Sequence, residues 1–250
     1  MQQFKADLHM HTVLSPCGSL DMSPGTIVSR AKDRGLDIIG ITDHNHTAHC
    51  QVVSEIASEQ NLTVLAGAEV TSKEEVHCLA FFEDFETLRD FQELLNKTLA
   101  QIPNKPDLFG HQVVVNRQEE ILEEVSPLLI SATSLSIDQL EQEVHNRNGL
   151  FIPAHVNRSA YSLISQLGFI SPDIRADALE ISSHTTEKQM RAEHPHLEKL
   201  SFIQSSDAHF PDDIGKVNTR FLLAEPTFAE IKKALHLQDG RKVWIPDQSL

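Results

Sequence analysis

The stretch Asp7-Leu8-His9-Met10-His11-Thr12 decides how the chain is read. Side chains of an extended segment alternate between faces, so His9 and His11 leave the same face and can meet one metal ion. A lone His-x-His is more often a satisfied pair than a ligand set, but this one has company. Thr42-Asp43-His44-Asn45, Gly67-Ala68-Glu69-Val70, Val76-His77, Pro153-Ala154-His155 and Ser206-Asp207-Ala208-His209 each follow or close a short apolar run. Repeated delivery of His, Asp or Glu at strand ends reads as a metal centre assembled by the fold.

Working outward, residues 4–8 predict a strand leading into the histidine pair, and residues 12–22 a loop holding Pro16, Cys17 and Gly18. Ser23 and Pro24 signal a helix start, Ile27, Val28 and Ala31 carry the helix, and Gly35 closes it. Residues 37–41 form a buried strand delivering Asp43 and His44. A helix over 47–60, a strand over 62–66 with Glu69 after it, and a strand over 75–82 bearing His77 follow. From 85 to 149 the rhythm changes, with helices predicted at 85–100, 119–124 and 137–147 around an apolar segment at 113–115. This region reads as an inserted helical lid, with ordinary barrel-wall helices as the other reading. Strands return at 150–155, 177–181, 200–204 and 217–223, with helices at 159–167, 187–193 and 227–237. The pattern predicts one α/β domain over residues 1–250, a parallel sheet closed as a TIM-like barrel, with its active face at the strand C-termini.

Composition narrows the class. Hydrophobic residues make up 40% and charged residues 23%, which suits a globular enzyme rather than a disordered chain. No run approaches the length of a membrane helix and the N-terminus lacks a signal-peptide core, so a cytoplasmic location and no membrane partner are expected. Cys17, Cys50 and Cys78 match no zinc-finger or disulfide spacing. A net charge of −15 without a basic run argues against stable binding of a nucleic-acid duplex. Nothing in the sequence speaks to oligomeric state.

His9, His11, His44, Glu69, His77, His155, Asp207 and His209 are too many ligands for one ion. They predict two or three divalent ions, of zinc, iron or manganese, with the Glu69 carboxylate bridging two of them. Such a cluster supplies hydroxide near neutral pH and clamps the attacking and leaving oxygens of a phosphoryl group, which favours phosphoester hydrolysis. No Gly-x-Ser-x-Gly elbow offers a competing nucleophile. Glu69 and Asp207 are the candidate catalytic carboxylates. Arg158, and less so Lys73, is placed to hold phosphate oxygens.

These residues resemble the PHP superfamily of metal-dependent phosphoesterases, named for polymerase and histidinol phosphatase. The motifs at 7–12, 42–45, 69, 77, 153–155 and 206–209 stand in the family's order. The resemblance implies a distorted (β/α)7 barrel with a trinuclear cluster. One metal would take His9, His11, Glu69 and Asp207, a second Glu69, His77 and His155, and a third His44 and His209. Asp7 and Asp43 would orient ligand histidines. Where many members supply a further ligand, this chain has Ser15-Pro16-Cys17-Gly18, so Cys17 is either a thiolate ligand or the third site is weak. The expected substrate is a small phosphorylated metabolite or nucleotide, with His184, Ser182 and Ser183 as possible contacts. A non-catalytic metal-binding regulatory domain, and a metal-dependent hydrolase of non-phosphate substrates, are the alternatives.

Overall fold

A computed structural model describes residues 1–246. In chain order the strands are β1 (Gln2–Asp7), β2 (Ile38–Ile41), β3 (Thr63–Thr71), β4 (His77–Phe82), β5 (Val113–Val115), β6 (Ile121–Glu124), β7 (Leu150–Pro153), β8 (Leu179–Glu180), β9 (Phe202–Ile203), β10 (Thr219–Leu223) and β11 (Lys242–Trp244). The helices are α1 (Pro24–Asp33), α2 (His49–Ser58), α3 (Phe85–Thr98), α4 (Pro106–Phe109), α5 (Ile137–Asn146), α6 (Leu163–Leu167), α7 (Glu187–Glu193) and α8 (Phe228–Leu235). Local chemistry sets their starts. Ser23, Asp84, Ser136, Ser162, Thr186 and Thr227 each accept a hydrogen bond from a backbone N–H of the first helical turn.

The main sheet runs β11-β10-β1-β2-β3-β4-β7. Backbone hydrogen bonds from Asp177 N to Phe151 O (2.9 Å) and from Val156 N to Glu180 O (2.8 Å) carry the wall from β7 to β8, which lies parallel to β9. The circuit returns through the parallel bridge of Met10 with Ala208. Because β10 already holds the edge of β1 as far as Ala6, the return from β9 meets the chain only beyond the strand. The barrel is therefore distorted at its seam, as the (β/α)7 expectation requires.

The sheet is mixed, which corrects the expectation of a parallel one. β3 and β4 form an antiparallel hairpin, and β4 is antiparallel to β7. The connection between β3 and β4 is too short for a crossover helix, and Ser72 N donates to Val76 O (2.9 Å) across the turn. Two consequences bear on the site. Glu69 lies inside β3 rather than after it, and His77 opens β4, within the strand expected over 75–82. The antiparallel sense still brings His77 to the end where β1 and β2 finish, with Thr71 opposite it.

Residues 119–124 are not helical. The side chain of Asn116 accepts from Gln118 N (2.9 Å) and Glu120 N (3.0 Å), Glu119 takes a φ of +64°, and the chain reverses into β6 against β5. Residues 157–161 form a loop, so the helix expected from 159 starts only at Leu163, and β11 was not foreseen. Within 85–149, α3 and α5 pack beside β4 and β7.

Alternation divides the core. Ile39, Ile41, Ala66, Ala68, Cys78, Ala80, Phe82 and Phe151 pack with α1, α2, α3 and α5. Ile38, Leu65, Leu79, Phe81, Leu150 and Ile152 point the other way and join Ile231, Ala234 and Leu235 of α8. Gly40 sits where strands crowd: a Cβ there would lie 2.2 Å from Leu8 O. No helix among the described residues is long and apolar enough to cross a membrane.

Candidate metal centre

The buried carboxylate of Glu69 is ringed by five imidazoles. Its Oε1 lies 3.2 Å from His9 Nε2, 2.9 Å from His77 Nδ1 and 3.2 Å from His155 Nε2. Its Oε2 lies 3.4 Å from His11 Nε2 and 3.0 Å from His44 Nδ1. Asp207 Oδ1 completes the group at 3.2 Å from both His9 Nε2 and His11 Nε2. Three donor sets each lie within 4.8 Å: His9, His11, Glu69 and Asp207; His44, Glu69 and His77; His11, His44 and His209. The first coincides with the set implied by the family resemblance. In the second, His44 stands with Glu69 and His77, while His155 meets the same Glu69 oxygen as His77 but falls outside that set. In the third, His11 joins His44 and His209, and Cys17 Sγ lies 3.1 Å from His209 Nε2.

Hydrogen bonds around the cluster fix where the lone pairs point. His9 Nδ1 donates to Glu180 Oε2 (3.0 Å), leaving Nε2 facing Glu69 and Asp207. Ser15 Oγ donates to Asp43 Oδ1 (2.7 Å) and accepts from His11 Nδ1 (2.9 Å), which again frees Nε2 inward. His209 Nδ1 donates to Asp207 O (2.8 Å). His9 Nε2, His44 Nδ1 and Glu69 Oε2 are buried without a hydrogen-bond partner. Buried polar atoms ordinarily find partners, and three unpartnered atoms at these spacings are what a divalent cation would satisfy. Ligand atoms about 3 Å apart are the edges of a polyhedron around an ion bound at about 2.0–2.2 Å. The residues fit a divalent metal.

Electrostatics agrees. Burial opposes charge on His9, yet Asp207, Glu180 and Glu69 outweigh it and raise its pKa well above the ordinary value. His11 and His44 are pushed up to about 9, against burial, by the same kind of carboxylate field. Burial also opposes the ionised form of Glu69, but His77, His9 and His44 hold it well below the usual carboxylate range. The outer histidines go the other way: burial lowers His77, and burial and His11 lower His209 to about 4. The centre demands positive charge while its rim resists protons.

The other expected residues divide. Arg158 Nη1 donates to Asp207 Oδ2 (2.5 Å), so Asp207 faces the cluster with one oxygen and Arg158 with the other. Arg158, Cys17, Ser182 and His184 line a cleft of about 640 Å³ above Glu69, whereas Ser183 and Lys73 do not. Asp7 does not orient a histidine. It accepts from Ser206 N, Ser206 Oγ and Gly215 N at 2.6–2.9 Å and so secures the turn that carries Asp207. Asp43 acts on His11 only through Ser15.

Two residues had escaped the sequence reading. Glu180, buried on β8, receives His9 Nδ1 and the backbone N–H of His155 (3.0 Å) on the same oxygen. An acidic residue inside an apolar strand was the available signal. Tyr161 stacks on His77, ring centroids 4.7 Å apart at 13°, and lines the cleft.

Comparison with known proteins follows this geometry. A model of the PHP domain matches residues 7–167, and a PHP-associated model matches residues 198–239. Protein YqxK of Bacillus subtilis (strain 168) is 24% identical over 274 residues, spanning 97% of this chain and 64% of YqxK. The lesion-specific endonuclease PfuEndoQ from Pyrococcus furiosus superposes with a TM-score of 0.75 at 20% identity, covering 97% of this chain and 58% of that one. An endonuclease Q complex with a 27-mer duplex bearing an abasic lesion at the active site gives a TM-score of 0.73 at 20% identity, over 96% and 58%. The chain thus spans less than two thirds of the length of these proteins.

The duplex complex overturns the expectation of a small substrate and no nucleic-acid duplex. That expectation rested on whole-chain charge, but the potential in a cleft is set by the groups and ions that line it, not by the sum over the surface. The matched residues cover most of the molecule and include His9, His11, His44, Glu69, His77 and His155: the chain belongs to the PHP domain family of metal-dependent hydrolases.

Proposed function

We propose that the chain hydrolyses phosphoester bonds, using a cluster of two or three divalent ions held by His9, His11, His44, Glu69, His77, His155, Asp207 and His209. The single observation that carries this reading is the Glu69 carboxylate, buried among five imidazoles whose inward nitrogens include orphans. Bound ions would supply Lewis acidity toward phosphoryl oxygens and lower the pKa of water.

The protein's own groups supply the rest. Glu180, Ser15 and the Asp207 carbonyl hold His9, His11 and His209 in the tautomer that presents Nε2 inward. Arg158, half exposed beside Asp207, offers its remaining N–H groups to a non-bridging phosphate oxygen. Cys17 reaches the third donor set as a candidate ligand. Residues 85–149 are proposed as a lid: Ile130 lines the cleft, and Asn45 Nδ2 donates to Leu129 O (2.7 Å) and Ser131 O (2.9 Å), binding that segment to the end of β2.

For the substrate, a phosphodiester within a nucleotide or nucleic-acid strand is the class we favour. The cleft is larger than a lone phosphate needs, and the endonuclease Q complex supports this class. The test pairs metal stoichiometry, on protein prepared without chelator, with ester cleavage over a panel of aryl mono- and diesters, nucleotides and duplex oligonucleotides. Two to three ions per chain and cleavage abolished by chelator, then restored by metal, is the expected result. Full metal content with no cleavage of any ester would overturn it in favour of a metal-binding module.

A further inference from the structure

Tyr161 is the only tyrosine in the chain, and its position is costly. Its φ of +54° lies in the left-handed region, where a Cβ crowds the backbone and glycine is at ease. Nor does burial compensate, because the residue is 46% exposed. The loop around it leaves little freedom. His77 N donates to Tyr161 O (3.0 Å), Ser162 Oγ donates to Arg158 O (2.7 Å), and Asn157 and Ser182 exchange two hydrogen bonds at 2.8–2.9 Å. One ring face is covered by His77, and the remainder of the ring borders the cleft together with Arg158, Ala160 and Ile130.

A half-exposed aromatic ring is thus held by a rigid loop, in a backbone conformation that disfavours it, beside the guanidinium proposed to hold phosphate. We infer that Tyr161 is a specificity-determining residue whose exposed ring stacks on a planar ring next to the scissile phosphate, such as the base of a nucleotide or the aryl group of a synthetic ester. This rests on the phosphoester reading above. Stacking on an aromatic side chain tolerates any planar partner and changes affinity by about tenfold or more per ring.

The experiment compares kcat/KM for an aryl phosphodiester and an alkyl phosphodiester of equal charge in the wild type, Tyr161→Phe, Tyr161→Leu and Tyr161→Gly. The ratio of ring-bearing to alkyl ester should fall about tenfold in the Leu and Gly variants, through KM, and by less than twofold in Phe. Metal content should hold in all three, and Tm in Gly should not fall, since glycine relieves the backbone. An equal loss on both esters, a loss of metal, or an unchanged ratio would overturn the inference; the first two would make Tyr161 a support for His77.

A readout free of turnover separates this from failure of the phosphoesterase reading. With ring-labelled tyrosine the chain gives one set of Tyr resonances. Titration with a nucleoside monophosphate should shift them, while inorganic phosphate should not. No shift, or an equal shift with both, counts against the inference even if esters are cleaved.

Discussion

Two clusters of histidine and carboxylate occupy opposite ends of the same strands. Glu180 closes β8 at the candidate metal centre, while Asp177 stands before that strand at the far end. There Asp177 Oδ2 accepts from His145 Nε2 (3.0 Å) and Phe151 N (2.7 Å), and Oδ1 accepts from His236 Nε2 (2.8 Å). His145 Nδ1 in turn meets Glu141, which also pairs with Arg175 (2.6 Å). Around Asp177 donors and acceptors are matched. Around Glu69 buried nitrogen and oxygen atoms stand without hydrogen-bond partners, and the candidate ligands His155 and Asp207 sit at φ of +31° and +51°. The same residue types therefore serve two ends: one cluster satisfies its own hydrogen bonds, and the other leaves buried atoms at spacings that could hold a cation.

Substitution should expose that difference most strongly at Glu69. Glu69→Gln is expected to strip metal from two donor sets and cut turnover by about a thousandfold or more, read by metal analysis and ester cleavage. Full metal content in that variant would erase the contrast. Glu180→Gln comes next: it keeps the volume but weakens the hold on His9 Nδ1 and His155 N, and should lower metal affinity about 10- to 100-fold in a chelator competition.

At the far end the same chemistry should register as stability alone. Asp177→Asn leaves two imidazoles poorly matched and should cost about 1–3 kcal/mol in denaturant unfolding, with metal content unchanged. Altered metal stoichiometry would show that the two ends are coupled. The smallest effect is a pH slope. The Asp177 hydrogen bond raises the pKa of His145 above its ordinary 6.5. Its contribution is therefore whole below that value and lost as pH rises through the folded-state pKa. Asp177, held low by His145 and His236 despite burial, contributes above the ordinary carboxylate pKa and loses that contribution only in acid. The Tm advantage of wild type over His145→Gln should shrink between pH 6 and pH 9, and a constant advantage would remove the ion-pair account.

The contrast also marks what the chain discloses before folding. His9 and His11 were legible not as a pair, which alone is more often satisfied locally, but because His, Asp and Glu recur at the later strand ends. Asp177 and Glu180 sat in one apolar segment, and nothing in their spacing distinguishes a residue that closes a structural cluster from one that orients a ligand. That distinction depends on partners 32 and 171 residues away in sequence. The sense of β4 was hidden for a related reason. Residues 75–82 read as a strand in either direction, and only the short turn after β3 excludes a crossover. Tyr161 was invisible because its φ is imposed by the loop from β7, not by its own preference.

The β3–β4 hairpin has a consequence for the order in which the molecule assembles. Glu69 and His77 are joined by a tight local turn, so bringing this half of the centre together costs little loop-closure entropy. Asp207 and His209 join His9 and His11 across nearly the whole chain. During synthesis the hairpin is finished long before residue 207 emerges, and the polypeptide then carries a fragment of a binding site with no means of closing it. The Met10–Ala208 bridge that returns the circuit also carries Asp207 and His209 to His9 and His11, so completing the donor sets and closing the circuit depend on the same contact.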